Sequence, residues 1–152
     1  MQYIQQARGE SEGCLFCALA GKGDDQAALI LHRGDRGFVC LNAFPYNPGH
    51  LMVAPLRHVG DPQDLDDREL VDLGRLLQRS LQALTDEMHP DGFNVGMNLG
   101  KVAGAGVPDH LHWHVVPRWN GDTNFMSVTG EMRVLPESLE ATYRKLEPRF
   151  EA

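Results

Sequence analysis

The chain of 152 residues contains no apolar run approaching the roughly 20 residues of a membrane span, so no integral membrane helix is expected. Positive charge is in short supply: 14 Lys and Arg stand against 21 Asp and Glu, a formal net charge of −7. That deficit argues against a broad electrostatic grip on nucleic acid or an anionic membrane, so any phosphate must be met by local geometry. Cysteine is scarce and odd in number, at three. Cys14 and Cys17 are spaced Cys-x-x-Cys, which points away from a disulfide framework and toward a metal or inert thiols. The opening MQYIQQARGESEG lacks the charged start and apolar stretch of a secretory signal, so a cytoplasmic location is expected. Internal repeats, low-complexity tracts and composition breaks are absent, and residues 1–152 are expected to form one domain.

What is present reads as alternating short strands and two helices. Ala28 to Arg33 and Gly37 to Asn42 are rich in Leu, Ile, Val and Phe, and the turn Gly34-Asp35-Arg36 between them predicts a hairpin. Pro45, Asn47, Pro48 and Gly49 break the chain before a third strand, His50 to Pro55. From Asp66 to Met88 the period changes: Leu70, Leu73, Leu77, Leu81, Leu84 and Met88 recur every three or four residues, the pattern of a long amphipathic helix. Asp66 and Glu69 have capping-box spacing at its start, and Pro90 and Gly92 lie just past its end. Strands are expected at Phe93 to Leu99 and His110 to Pro117, around the glycine-rich loop Gly100 to Pro108. A C-terminal helix from about Pro136 to Phe150, with Leu139, Tyr143, Leu146 and Phe150 on one stripe, completes an α+β pattern of antiparallel strands covered by helices.

The stretch carrying most chemistry is His110-Leu111-His112-Trp113-His114-Val115-Val116-Pro117. Side chains alternate along a strand, so three histidines share one face and Leu111, Trp113 and Val115 the other. With a reference pKa of about 6.5, a neutral imidazole can attack or accept a proton and its cation can stabilise a phosphate. A metal-binding row or a satisfied polar face is the plainer alternative. The glycines before the triplet and the strictly apolar alternate positions favour a phosphate site. Thiolates and imidazoles also suit zinc, and Cys14 and Cys17 can supply two adjacent tetrahedral corners, although two ligands do not make a site. Cys40, inside the hairpin's apolar run, reads as core.

His-Leu-His-Trp-His-Val-Val, together with Cys-Leu-Phe-Cys at 14–17, the segment Asn42 to His50 and Pro-Leu-Arg-His at 55–58, resembles the histidine triad (HIT) family of nucleotide hydrolases and transferases. The resemblance runs from Cys14 to about Phe125, with the C-terminal helix as an extension. Within the family, Asn42 to His50 and Pro117 to Phe125 look most like bacterial diadenosine tetraphosphate phosphorylases.

The resemblance implies a HIT-like antiparallel sheet and nucleotidyl transfer at an α-phosphate, with His112 attacking and becoming nucleotidylated. Imidazole suits such a two-step displacement because it is both nucleophile and leaving group. Orthophosphate or water completes the cycle, phosphorolysis being the expected preference; a phosphoramidate or dinucleoside polyphosphate hydrolase and a catalytically idle nucleotide-binding protein are the rivals. His114 is expected to stabilise phosphate and manage protons. The resemblance places Asn98 against a bridging oxygen or the catalytic strand, Asn42 against the ribose and His50 on the nucleotide side, with strand-end and strand-start roles as the alternatives for Asn98 and His50. Gly104, Ala105 and Gly106 are expected to offer backbone N–H groups to phosphate. Many relatives carry Gly-Gln-Ser or Gly-Gln-Thr there, so a side-chain contact to the leaving group is missing from this chain. His58 and His110 join Cys14 and Cys17 as ligands of a structural zinc; no organic cofactor is expected. Phe16, Leu29, Phe38, Leu51 and Val53 frame either a base slot or core. Trp119, Asp122 and Asn124 are candidates to reach over the site, Trp119 by stacking on a second adenine or by packing on the C-terminal helix. Arg118 and Lys101 are the nearest basic residues. A homodimer is implied, through an edge strand and the long helix, with neither nucleic acid nor membrane as partner.

Overall fold

The computed structural model describes residues 13–122 and 137–151. The described elements are α1 (Leu15–Ala20), β1 (Ile30–Arg33), β2 (Gly37–Leu41), β3 (Leu51–Pro55), α2 (Asp67–Met88), β4 (Gly92–Gly96), β5 (Trp113–Arg118) and α3 (Leu139–Phe150). The five strands form one antiparallel sheet in the order β1-β2-β3-β5-β4, which bears out the α+β expectation.

The sheet is buried on both faces at its centre because β2 and β3 are apolar at every position. Val39, Leu41, Leu51 and Val53 face α2 and α3, packing with Leu73, Leu84, Leu146 and Phe150. Phe38, Cys40, Met52 and Ala54 face the other way, onto Phe16 and the turn of α1. That assigns Phe16, Phe38, Leu51 and Val53 to core; Leu29, half-buried, packs against the α2 side. The short helix α1 has no helical period long enough to have been read from the sequence.

Helix α2 begins as expected. Asp66 Oδ1 accepts from the Glu69 N–H at 2.8 Å and Glu69 Oε1 accepts from the Asp66 N–H at 3.2 Å, a complete capping box. The Glu69 carboxylate is buried, and Arg57, just past β3, meets it with Nη2 at 2.8 Å and Nε at 3.1 Å. Hydrogen bonding to Arg57 holds that carboxyl below its usual range. The helix ends at His89, a non-glycine residue in the left-handed region (φ 48°). Trp119 Nε1 donates to the Met88 carbonyl at 3.3 Å, so this indole closes the end of α2.

Several boundaries move. β5 starts at Trp113 rather than His110, because the Leu111 N–H is taken by the Val59 carbonyl at 2.7 Å instead of a ladder partner. β4 stops at Gly96 rather than Leu99, and β1 starts at Ile30 after Leu29 turns left-handed (φ 59°). Asn98 therefore lies in the loop beyond β4. The C-terminal helix starts at Leu139 behind the Ser138 cap; Pro136 and the 123–125 segment lie outside the described residues. Gly49 sets up the entry to β3: its φ is +83°, and a Cβ there would lie 2.8 Å from Met88 Sδ. No helix among the described residues is long and apolar enough to cross a membrane.

Leu84 is fully buried between α2 and the sheet. Leu84→Ala is expected to lower unfolding stability by about 2–5 kcal/mol, and Asp66→Ala by less, both read as shifts in the denaturant midpoint at constant m. A larger loss from the cap than from Leu84 would contradict this division.

Candidate functional site

The histidines sit at the entry to β5, on the sheet face opposite α2. Met52, on the α1 face, pairs with His114, and Trp113 and Val115 belong to the α2 core. Each histidine is held by a different partner. His112 Nδ1 lies 2.9 Å from the His110 carbonyl oxygen. A carbonyl only accepts, so the proton sits on Nδ1 and the lone pair is left on Nε2. Phe16 stacks on the His112 ring, centroids 4.6 Å apart at 30°, and His114 meets it edge-on at 5.0 Å. Burial lowers the pKa of His110, His112 and His114 alike, favouring neutral rings near neutral pH.

His50 stands behind His114. Its Nδ1 accepts from the Tyr46 backbone N–H at 3.2 Å, and its Nε2 lies 2.9 Å from His114 Nδ1. Burial and the adjacent His114 push the His50 pKa down to about 4, so it is neutral and carries its proton on Nε2. That nitrogen donates to His114 Nδ1, and a neutral His114 is then protonated at Nε2. A fixed backbone donor thus sets two tautomers in succession. The Pro48-Gly49 turn placed His50 at a strand start in the sequence, but nothing in its spacing showed its bond to a residue 64 positions away.

Cys14, Cys17, His58 and His110 come together, their donor atoms all within 4.8 Å of one another. Cys14 Sγ is 3.3 Å from His110 Nδ1, and Cys17 Sγ is 3.4 Å from His58 Nδ1 and 3.5 Å from His110 Nδ1. Zinc–sulfur and zinc–nitrogen bonds of ordinary length give a tetrahedral S···N edge of about 3.5 Å, so the set fits such an ion. His110 Nε2 donates to the Pro55 carbonyl at 2.8 Å, which leaves the Nδ1 lone pair facing the sulfurs. Burial and the neighbouring Cys14 push the Cys17 thiol up to about 11, a cost to ionisation that a divalent cation reverses. The four residues can hold a metal. Cys40 is buried apart from them, and burial alone pushes its thiol up to about 12.

Other expected site residues divide. Asn98 lines a cleft of 310 Å³ with His114, Tyr46, Asn47, Asn94 and Arg118. Gly104 is left-handed (φ +92°), but its N–H bonds the Lys101 carbonyl at 3.0 Å and that of Ala105 bonds Gly100 at 3.3 Å. Of the three, Gly106 alone has an N–H without a hydrogen bond among the described residues. Asn42 Oδ1 accepts from the Phe44 N–H at 2.9 Å, turning the chain after β2, and Asn42 is not among the side chains lining the cleft. Lys101 is exposed and also away from it. Asn124 lies outside the described residues. Sequence reasoning gave no site role to Tyr46, Asn47 or Asn94, although Tyr46 and Asn47 lie within the Asn42 to His50 segment that carries the resemblance. It also missed the stacking of Phe16 on His112, for which its place between the two cysteines was the available hint.

The fold and the histidine row together define a HIT domain protein: the HIT domain family matches residues 24–121, and the chain belongs to that family. It is 45% identical over 122 residues to the AP-4-A phosphorylase of Mycobacterium tuberculosis, an alignment covering 80% of this chain and 63% of that protein. The chain thus spans less than two thirds of the length of that relative. It is 32% identical to the bis(5'-adenosyl)-triphosphatase of Dictyostelium discoideum, covering 80% of this chain and 85% of that one. Among solved structures, a zinc-bound histidine triad family protein from Mycobacterium smegmatis superposes with a TM-score of 0.72 at 28% identity, covering 93% of this chain and 95% of the other.

Long-range proton–nitrogen spectra near neutral pH are expected to show His112 as the Nδ1–H tautomer and His114 as the Nε2–H tautomer. In His50→Ala the His114 signal is expected to shift toward a tautomer mixture. A His112 proton found on Nε2 would contradict the bond to the His110 carbonyl.

Proposed function

We propose that this protein cleaves dinucleoside polyphosphates such as diadenosine tetraphosphate by two-step nucleotidyl transfer, with orthophosphate preferred over water as second acceptor. One observation carries the reading: the His110 carbonyl holds His112 with its Nε2 lone pair available, in a buried pocket that keeps the ring neutral. That nitrogen attacks the α-phosphorus, forming the N–P bond as the P–O bond to the departing nucleotide breaks. The His114 Nε2–H donates a hydrogen bond to the leaving oxygen, which departs with the P–O electron pair as part of the ATP polyanion. Orthophosphate then attacks the phosphorus, the N–P bond breaks with its electron pair returning to His112 Nε2, and the acceptor's proton is released to solvent. Diadenosine tetraphosphate would yield ATP in the first step and ADP in the second. The name of the M. tuberculosis relative supports the phosphorylase reading, whereas that of the D. discoideum relative supports transfer to water on the same machinery.

Cys14, Cys17, His58 and His110 would hold a structural zinc. Bound there, the ion supplies a closed tetrahedral cross-link and no chemistry at phosphorus. The chain's own contribution is geometric: the turn of α1 carries Phe16 onto His112, and His110 presents the carbonyl that orients the same ring. Residues 1–152 form one HIT domain in this reading. They pair with a second copy through β4, which is an edge strand among the described residues and carries the exposed Val95, with Leu99 and Val102 exposed in the loop beyond.

Diadenosine tetraphosphate incubated with the protein is expected to give ADP and ATP when orthophosphate is present and no products when it is absent. AMP and ATP in both buffers would make it a hydrolase, and no product in either would refute the activity. His112→Ala is expected to lose on the order of 10⁴-fold in kcat or more while still binding nucleotide. Elemental analysis is expected to find about one zinc per chain in the parent and little in Cys14→Ser; full zinc in that variant would exclude the ligand set.

A further inference from the structure

Beyond His114 the strands β4 and β5 form a shelf whose use the reaction itself does not specify. Their register sets Gly96 opposite His114, Asn94 opposite Val116 and Gly92 opposite Arg118. Directly opposed residues share a face, so His114, Asn94, Val116 and Arg118 point to the same side. Among the described residues the two glycines leave space on that side: a Cβ at either would meet none of them within 4 Å. The result is a trough from His114 to Arg118, walled by the exposed ring of Tyr46 and opening into the 310 Å³ cleft.

Arg118 is bracketed within this trough. Its Nη1 donates to Asn94 Oδ1 at 2.5 Å, while Nε and Nη2 donate to the two oxygens of Asp122 at 2.9 and 3.0 Å. Asp122 is fixed in turn by Asn47 Nδ2 at 2.7 Å and by the Trp119 backbone N–H at 3.0 Å. Asn94 lies opposite Val116, so its bond to Arg118 folds the guanidinium back along the strand toward His114. The pair is two residues, about 7 Å of strand, from His114. Asp122 offsets the formal charge, and Arg118 therefore acts through aimed N–H bonds rather than a broad field. An anionic phosphate oxygen is a stronger acceptor for a guanidinium than the neutral Asn94 oxygen it would displace. That exchange also frees the Asn94 amide to donate.

We infer that this trough is the subsite for the departing group and is built for a polyphosphate, with Arg118 and Asn94 gripping a phosphate beyond the scissile bond. Arg118 is then a specificity-determining residue: it favours leaving groups that carry further phosphates over small ones such as ammonia. The inference rests on the reaction proposed above, since it takes His114 as the residue beside the leaving oxygen.

The test compares kcat/KM for diadenosine tetraphosphate, which releases ATP, with that for adenosine 5'-phosphoramidate, which releases ammonia. Arg118→Gln is expected to lower the first by about tenfold or more and the second by much less. Gly96→Val places a side chain in the trough without demanding a left-handed backbone, and is expected to shift the ratio of the two substrates in the same direction. Calorimetric binding of inorganic tripolyphosphate, expected for the parent and weaker for Arg118→Gln, tests the trough without turnover. Equal losses on both substrates in Arg118→Gln, an unchanged rate on the tetraphosphate, or no binding of tripolyphosphate by the parent would overturn the inference. If the parent cleaves neither substrate but binds tripolyphosphate through Arg118, the reaction is wrong and the subsite stands.

Discussion

The hydrogen bond from His112 Nδ1 to the carbonyl of His110 is the contact on which the arrangement of this site turns. It fixes which nitrogen of His112 holds the lone pair, and it does so with a backbone group that cannot change protonation state. That carbonyl is itself well anchored. His110 is completely buried, its Nε2 bonds the Pro55 carbonyl at the end of β3, and its Nδ1 faces the thiols beside α1. One residue thus ties the central strand, the N-terminal turn and His112 together. His114 is governed by a parallel chain, from the Tyr46 N–H through His50. In both chains a backbone group of fixed polarity decides a side-chain tautomer, which is a reliable way to order imidazoles whose own pKa leaves the choice open.

Much of this framework was legible in the sequence because it depends on short spacings. The alternation of His110, His112 and His114 with apolar residues separates a chemical face from a core face, whether or not the backbone is formally in a ladder. That is why the pattern held although β5 begins only at Trp113. The capping box of α2 and the Cys-x-x-Cys turn are equally local. What escaped is long-range or conformational. The His50–His114 bond spans 64 positions, and Trp119 closes the end of α2 across 31. Leu29 and His89 adopt left-handed backbone that their residue types do not advertise. In the glycine loop composition suggested a phosphate cradle, and the N–H groups of Gly104 and Ala105 bond the carbonyls of their own turn.

The electrostatics follow from the same economy. A chain with a net charge of −7 has no surplus of cations to collect a polyanion, and the histidines are disposed to be neutral by burial. In the proposed reaction recognition comes from directed donors: the Nε2–H of His114 and the bracketed guanidinium of Arg118. Such donors are strong only where water is excluded and their positions are fixed. The bracket of Asp122, Asn47 and the Trp119 N–H is suited to that task, since it removes the freedom of a long side chain before a ligand arrives.

The division of the sheet into two faces explains how these demands coexist. The α2 face gathers Leu73, Leu84, Val115, Tyr143 and Leu146 into a continuous apolar core, whose Tyr143 hydroxyl is satisfied by donating to the Ile30 carbonyl at 2.9 Å. Among the described residues the opposite face is buried by α1 over β1 to β3, through Phe16, and not over β4, where Gly92 and Gly96 contribute no side chains. On that face His112 and Val116 are buried, while His114 and Arg118, which line the cleft, are half-buried. In the proposed reaction the nucleophile His112 takes the buried end, where its ring is stacked and its tautomer fixed, and the departing polyanion takes the cleft, where it can leave. The single strand β5 connects the two, and its alternating side chains keep both requirements off the face that holds the fold together.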